Sequence, residues 1–229
     1  MIRNELVELL RETNDFENAR PVVDVPGMSS AKVCRLLNRL VARMDPGEHY
    51  LEIGSWQGRT LLSAAMHNPD RLCVACDKFR PFGRYTGFGF RARRGLRQNL
   101  ARYAADRATI HFYDMPSSRF FRRTRFDGTV GVFFYDGDHS YKGTRASIAA
   151  GGRWLSSRAV LLVDDWNVPH IRRATFDALQ DASLGILWHR ALEGDHTENT
   201  WWNGLGAFYV ERLNAPSSRS ASSATPSRT

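Results

Sequence analysis

Acidic residues follow the apolar stretches of this sequence at four places, which suggests one site built from several segments. The four positions are Glu52, just before Gly54, and then Asp77, Asp136 and Asp164. In an open parallel sheet every strand brings its carboxyl end to the same edge, and ligands bind in the crevice there. We therefore expect the four acidic positions to converge on one ligand.

Two of these positions carry paired acids. The segment FFYDGDHSY contains Asp136 and Asp138, and the segment LLVDDWN contains Asp164 and Asp165. Carboxylates at close range repel one another unless one is protonated, a basic side chain intervenes or a cation lies between them. A hard divalent cation is the simplest of these solutions, and oxygen ligands suit Mg²⁺ or Ca²⁺ rather than zinc.

A glycine-bearing turn precedes the first predicted helix of the sheet region. The segment YLEIGSWQGRT places Gly54 and Gly58 four residues apart, which lets a nucleotide-like ligand approach exposed backbone N–H groups. Asp77 lies 23 residues after Gly54 (77 − 54), at the end of the next predicted strand, where an acid accepts hydrogen bonds from ribose hydroxyls. The segment matches neither the G-x-G-x-x-G fingerprint nor a G-x-x-x-x-G-K-[ST] phosphate loop.

Hydrophobic periodicity predicts the elements that position these residues. Two amphipathic helices come first, and strands then alternate with helices until a final pair of strands with no helix between them. The first predicted strand ends near residue 53, and the others cover 72–75, 109–113, 130–135, 159–163, 186–192 and 207–213. The predicted helices between them are 61–66, 90–104, 141–155 and 171–182. This order predicts an α/β doubly wound, mostly parallel seven-stranded sheet with a C-terminal antiparallel hairpin.

The length of 229 residues favours one domain. We interpret residues 1–46 as an N-terminal helical cap of that domain and residues 47–213 as its ligand-binding part. Residues 214–229 are rich in Ser, Ala and Pro, and we expect a disordered tail.

Charge and cysteine usage narrow the function classes. The net charge of +8 comes mostly from arginines and favours an anionic partner; nucleic acid is one candidate, but no helix-turn-helix, zinc-finger or RNP signature accompanies the charge. Cys73 and Cys76 form a C-x-x-C inside a predicted strand, where they point to opposite faces, so a redox or zinc role is not favoured. There are no eighteen consecutive apolar residues and the first residues are polar, so we expect a soluble, cytoplasmic protein without a membrane segment.

The glycine turn resembles motif I of the class I S-adenosylmethionine-dependent methyltransferases, E-x-G-x-x-x-G, with Asp77 matching their acidic residue after the second strand. The resemblance covers roughly residues 48–213 and implies a Rossmann-like methyltransferase fold. It also implies that Asp77 holds the ribose and that Asp114, after the third strand, contacts adenine. The cofactor-binding residues it implies are Glu52, Gly54, Ser55, Gly58, Thr60, Asp77, Asp114 and Asp136.

The paired acids resemble those of the metal-dependent small-molecule O-methyltransferases that act on sugars, aminocoumarins and macrolides. By that resemblance Asp136, Asp164 and Asp165 bind Mg²⁺, and Asp138 or His139 is the general base. His170 is a further candidate base. The form D-G-D-H-S-Y is also similar to the cephalosporin hydroxylase-like proteins, so the reaction stays open between these families.

With these resemblances, the sequence predicts an S-adenosylmethionine-dependent methyltransferase that uses Mg²⁺. Its reaction would be the O-methylation of a small-molecule hydroxyl in natural-product biosynthesis. Residues 79–90 and 200–206 mix aromatic, basic and glycine residues and predict an aromatic acceptor pocket that suits an anionic or aromatic molecule. One alternative is an RNA methyltransferase, which the absence of an N-P-P-Y-type tetrad from this sequence opposes. The other is a binding protein without turnover. Assembly as a homo-oligomer also stays open.

Overall fold

The computed structural model describes residues 3–14, 21–79, 86–103, 109–125 and 127–213. Within these ranges the helices are α1 Arg3–Asn14, α2 Ala31–Ala42, α3 Arg59–Ala65, α4 Thr86–Tyr103, α5 Ser117–Arg123, α6 Tyr141–Gly152 and α7 Pro169–Asp181. The strands are β1 Glu48–Ile53, β2 Leu72–Asp77, β3 Thr109–Asp114, β4 Thr129–Tyr135, β5 Leu155–Val163, β6 Leu184–Leu192 and β7 Leu205–Arg212. The tail expected to be disordered lies outside the described residues.

The strands form one sheet in the order β3-β2-β1-β4-β5-β7-β6. Strands β1 to β5 pair in parallel, whereas β7 is antiparallel to both β5 and β6. The predicted doubly wound sheet with a C-terminal antiparallel hairpin is confirmed. Because the strand order reverses between β1 and β4, the crevice that binds ligands in such folds opens beside these two strands.

Both faces of the sheet are buried under helices. Tyr50 and Phe134 pack on the side of α1, α2 and α3, and Leu51 and Phe133 pack on the side of α5, α6 and α7. Strands covered on both faces need apolar residues at every position, which explains the continuous apolar runs in the sequence.

The cysteines of the C-x-x-C lie on these two opposite faces, as predicted. Cys73 belongs to the cluster on the α1–α3 side and Cys76 to the cluster on the α5–α7 side. Both thiols are buried and free.

The N-terminal helices pack on the sheet itself. Leu6, Leu9 and Leu10 of α1 share a core cluster with Tyr50 of β1 and with residues of α2, so these two helices complete one face of the same core. Among the described helices, none combines the length and apolar character needed to cross a bilayer.

Most element ends lie a few residues from the predicted positions, and two differences change the description of the fold. The helix predicted over residues 141–155 ends at Gly152, and Leu155 instead begins β5, where it pairs with Val130 of β4. Helix α5 was not predicted, because its seven residues carry three arginines around Phe120, which is the one fully buried side chain there.

Candidate active site

A cavity of about 490 Å³ opens at the carboxyl ends of β1, β2, β4 and β5, within the usual size range of small-molecule sites. Residues from the turns after these four strands and from the loop before β7 line it. The lining comprises Met28, Ile53, Gly54, Trp56, Cys76, Asp77, Lys78, Phe79, Phe88, Ser117, Asp136, Gly137, Asp138, His139, Asp164, Asp165, Trp202 and Asn203. Asp77, Asp136 and Asp164, predicted from strand ends alone, therefore face one space.

The turn after β1 depends on its glycines. Gly54 has a φ of +93°, and a Cβ atom there would lie 1.8 Å from the carbonyl oxygen of Asp136. Gly58 has a φ of +88°, and a Cβ atom there would lie 2.6 Å from a methyl carbon of Leu96. Only glycine satisfies both the left-handed backbone and the close approach, so the cavity floor keeps exposed backbone at residue 54.

Asp77 ties the end of β2 to this turn. Its Oδ2 accepts hydrogen bonds from the backbone N–H groups of Ser55 and Trp56, at 3.0 and 2.8 Å. Its Oδ1 accepts from the N–H of Phe79 at 2.8 Å. A carboxylate offers about four acceptor positions, so Asp77 keeps room for a hydroxyl of a bound ligand.

Glu52 lies beneath the turn rather than in the cavity lining. Its carboxylate is fully buried and accepts hydrogen bonds from the hydroxyls of Tyr50 and Thr60. Burial raises the pKa of Glu52 to about 7, although these hydrogen bonds oppose the shift. Glu52 and Thr60 therefore support the turn from inside the protein.

Three side chains after β4 and β5 form a cluster of potential metal ligands. One ligand atom each from Asp136, His139 and Asp165 lies within 4.8 Å of the others. Nε2 of His139 is 3.2 Å from Oδ2 of Asp165 and 3.8 Å from Oδ1 of Asp136. Burial, followed by the neighbouring charges of Asp165 and Glu52, raises the pKa of Asp136 well above its usual value. The cluster concentrates negative charge that a cation would relieve.

Asp164 lies deeper than this cluster. The residue is 5% exposed, and its Oδ1 atom is buried without a hydrogen-bond partner among the described residues. Burial and the charges of Asp136 and Asp165 raise the pKa of Asp164 well above its usual value. An uncompensated buried carboxylate oxygen is costly, which identifies Asp164 as a second position that a cation would satisfy.

The structure separates the candidate bases. Asp138 accepts from the N–H of Ser140 at 2.9 Å and from Nζ of Lys78 at 3.1 Å. Burial alone would raise the pKa of Asp138, but these hydrogen bonds lower it to about 2, so this carboxylate is a weak base. His170 contacts the carbonyl oxygen of His139 through Nε2 at 2.7 Å. His139 is the candidate whose ring nitrogen faces the acid cluster.

Ser140 has a local structural role. It precedes α6 as its N-cap, and its hydroxyl accepts from the N–H of Gly143. The cap fixes the start of α6 immediately after His139, and so places the imidazole at the mouth of the cavity.

Aromatic side chains also line the cavity. Trp56 and Phe88 lie with ring centroids 5.1 Å apart, and Phe79 and Trp202 belong to the same lining. Phe79, Phe88 and Trp202 fall in the two loops predicted to form the acceptor pocket, whereas residues 80–85 lie outside the described residues. Met28 and Lys78 also line the cavity, and nothing in their sequence context marked them.

A family model with the description methyltransferase domain matches residues 51–166, which is more than half of the 229 residues. The chain belongs to this methyltransferase domain family. No curated protein matches the sequence significantly.

Solved structures share the fold of this methyltransferase. Cofactor-bound Rv0187 from MTB is 20% identical with a TM-score of 0.55, over 92% of this chain and 91% of that one. An O-methyltransferase from Bacillus cereus in complex with SAH is 15% identical with a TM-score of 0.55, over 92% and 93%. TrmN from Thermus thermophilus is 17% identical with a TM-score of 0.50, over 79% and 49%, so the chain spans about half the length of that protein.

Family and fold make the protein an S-adenosylmethionine-dependent methyltransferase of class I. The residues present fit this cofactor. Gly54 presents backbone without a side chain to the cavity, Asp77 offers acceptor capacity, and both line the cavity. Asp77 would hold the ribose, as the sequence resemblance implied, and Gly54 would lie against the cofactor.

The adenine end of the methyltransferase site differs in detail from the expectation. Asp114 forms ion pairs with Arg93 and Arg97 of α4 and does not belong to the cavity lining. Ser117, three residues further along, is the residue of this turn that lines the cavity. The role of Asp114 in adenine binding stays a prediction; its pairing with α4 could not be read from the sequence.

Proposed function

We propose that the protein is a divalent-metal-assisted O-methyltransferase that acts on a hydroxyl group of a small molecule. One observation carries the proposal. The ligand atoms of Asp136, His139 and Asp165 lie within 4.8 Å of one another on the wall of the cavity that Gly54 and Asp77 also line. A hydroxyl held at this cluster would therefore lie in the same enclosed space as the methyl donor.

The donor set fits Mg²⁺. Asp136, Asp164 and Asp165 supply hard carboxylate oxygens, and the buried Oδ1 of Asp164 lacks a partner that a cation would provide. When bound, S-adenosylmethionine supplies an electrophilic methyl group and Mg²⁺ supplies a Lewis acid that lowers the pKa of an acceptor hydroxyl. The acids would also fix the line of attack by holding the acceptor in one orientation.

His139 is the residue that we assign to proton removal. Its Nε2 atom faces Asp136 and Asp165, and its side chain is about half exposed, so a proton taken from the acceptor can leave to solvent. Asp138 is less suited to this role, because its hydrogen bonds to Ser140 and Lys78 lower its pKa to about 2. Asp138 would instead orient the turn through these bonds.

The cavity wall supports a flat acceptor. Trp56, Phe79, Phe88 and Trp202 line the same cavity as the acid cluster, and planar rings and sugar faces both pack against aromatic surfaces. These side chains would also exclude water from the reacting atoms. We infer an aromatic or sugar-bearing natural product rather than nucleic acid as the acceptor, because the acids line the wall of a cavity and not an open basic groove.

The first test is calorimetry with S-adenosylhomocysteine, with and without Mg²⁺, on the wild type and on Asp77→Ala. We expect binding that Asp77→Ala weakens at least about tenfold, since the variant loses the ribose acceptor and leaves three backbone N–H groups without partners. A panel of catechols, phenols and glycosides is then assayed with Mg²⁺ and with chelator. Turnover that is equal in chelator would refute metal assistance, and turnover on RNA alone would refute the small-molecule acceptor.

A further inference from the structure

The β6–β7 loop, residues 193–204, holds the turn that carries Asp165. The N–H groups of Trp166 and Asn167 donate to the carbonyl oxygens of Gly204 and Asn203, at 3.1 and 3.0 Å. The side-chain amide of Asn167 donates to the carbonyl oxygen of Gly194 at 2.8 Å. The loop and the turn are thus joined by backbone and side-chain hydrogen bonds at both ends of the loop.

These contacts maintain an uncommon backbone conformation. Asp165 has a φ of +57°, in the left-handed region that residues other than glycine adopt infrequently. Such a conformation persists where surrounding contacts determine it. Here it turns the Asp165 side chain back towards the cavity, so that it faces His139.

The amide of Asn203 has only one possible orientation. Its Nδ2 lies 2.7 Å from Oδ1 of Asp165, and a carboxylate at this distance must accept while the amide donates. The amide oxygen therefore faces the other way, where Nδ1 of His196 lies 2.5 Å from it. Since an amide oxygen only accepts, Nδ1 of His196 must carry the proton. A directed chain runs from His196 through Asn203 to Asp165.

We infer that Asn203, oriented by His196, is a positioning residue that fixes the Asp165 carboxylate for its role in the acid cluster. By occupying Oδ1, it leaves Oδ2 directed at His139, 3.2 Å away. This inference rests on the proposed metal-assisted function. A carboxylate that binds a metal is held in orientation by its own hydrogen-bond partners, whose loss typically costs 10–100-fold in metal affinity.

A second contact anchors the same loop beside the cofactor turn. Glu198 forms a two-pronged ion pair with Arg59, at 2.9 and 3.0 Å, and Arg59 is the first residue of α3, directly after Gly58. The loop therefore contacts both halves of the site. Glu198 anchors the loop beside the cofactor turn, and Asn203 anchors it beside the acid cluster.

The test compares Asn203→Leu with the wild type by calorimetry, using Mg²⁺ alone and S-adenosylhomocysteine alone, without acceptor. We expect Mg²⁺ binding to weaken 10–100-fold while S-adenosylhomocysteine affinity stays within about twofold, because Asn203 contacts Asp165 and not the glycine turn. His196→Asn keeps a donor near the position of Nδ1 and should bind Mg²⁺ nearly as the wild type does. His196→Leu has no donor there and should bind Mg²⁺ more weakly.

One control variant and one outcome of the main test keep the inference open to refutation. Thr200→Val removes hydrogen bonds to Asp195 within the same loop but none to Asp165, and should leave Mg²⁺ affinity unchanged. Weakening by Thr200→Val equal to that by Asn203→Leu would show that loop order, not Asn203, matters. Unchanged Mg²⁺ affinity in Asn203→Leu would overturn the inference directly.

A metal-free readout separates the inference from the proposed function. Histidine-selective ¹⁵N NMR in chelator reports the Nε2 environment of His139, which faces Asp165. If the wild type binds no Mg²⁺, metal assistance fails, yet the NMR comparison still decides the positioning. A changed His139 signal in Asn203→Leu but not in Thr200→Val supports it, and an unchanged signal refutes it.

Discussion

A Cβ atom on residue 54 would lie 1.8 Å from the carbonyl oxygen of Asp136. The N–H of Asp136 also donates to the carbonyl oxygen of Ile53, so the turns after β1 and β4 touch through their backbones. Asp136 is both a candidate ligand of the cation and a neighbour of the cofactor turn. A change in either turn must therefore displace the other.

Gly54→Ala should disable the site. The added methyl group would meet the backbone carbonyl of Asp136, directly after β4, and residue 54 has a φ of +93°. Because the clash is with backbone, no flexible side chain can move aside to relieve it. We expect S-adenosylhomocysteine affinity to fall at least about 100-fold and the free energy of unfolding to fall by about 2–4 kcal/mol. Calorimetry and urea unfolding measure the two effects. Gly87→Ala in α4, where a Cβ atom meets nothing within 4 Å, is the matched control and should leave both unchanged or slightly raise stability.

Substitutions should distinguish the two candidate bases. His139→Ala should lower kcat by about 100-fold or more, which is the usual contribution of a general base, and added imidazole should restore part of the rate. Asp138→Asn should lower kcat less than about tenfold, because a carboxylate with a pKa of about 2 removes protons poorly. Steady-state kinetics with a turned-over acceptor would measure both; the reverse ranking would make Asp138 the base.

The pKa of Glu52 predicts a specific pH dependence of stability. Its folded pKa is about 7 and its ordinary value is 4.5. Between these values the unfolded chain loses the proton while the folded protein keeps it, so the free energy of unfolding should fall as the pH rises from about 4.5 to about 7 and then level off. The effect of this one group is of the order of 3 kcal/mol.

Glu52→Gln isolates that contribution. Burial also raises the pKa of Asp136 and Asp164, which act in the same direction but remain in both proteins. Urea unfolding at several pH values in chelator should show a shallower pH dependence for Glu52→Gln than for the wild type. Parallel pH profiles would mean that Glu52 is ionised in the folded protein.

Mg²⁺ binding should release protons. Burial and neighbouring carboxylates raise the pKa of Asp136 and of Asp164, which favours their protonated forms in the metal-free protein, whereas a cation requires them ionised. Affinity should therefore increase with pH. Calorimetry in buffers of different ionisation enthalpy counts the protons, and Asp164→Asn should release fewer than the wild type. Binding without proton release would show that the acids are already ionised.

The sequence predicted the parts of the fold that depend on burial. Residues 130–135 of β4 and 159–163 of β5 are buried, so each segment is an uninterrupted run without charged side chains, and the acid that follows each run marks the strand end. Helix α5 was not predicted because a single buried residue, Phe120, gives no hydrophobic periodicity. Leu155 was placed in a helix because its strand partner, Val130, lies 25 residues earlier (155 − 130) and leaves no local signal.

The features of the site likewise divide into those that a sequence pattern marks and those that it does not. Gly54 and Asp77 could be predicted because a βαβ unit fixes their separation. The partnership of Asn203 with Asp165 spans 38 residues and depends on how a hairpin loop folds back, which no spacing rule encodes. Asp114 illustrates a partner that the sequence did not reveal: it is the last residue of β3, and its carboxylate forms ion pairs with Arg93 and Arg97.

The placement of β7 between β5 and β6 has a consequence for biosynthesis. During translation the five parallel strands and the glycine turn emerge before residue 193, whereas Asn203 and β7 come last among the described elements. A chain that stopped before Asn203 would still contain the cofactor turn but would lack the partner of Asp165. Such a fragment would also leave β5 without β7, its antiparallel neighbour, so β5 is an open sheet edge until the last hairpin has folded.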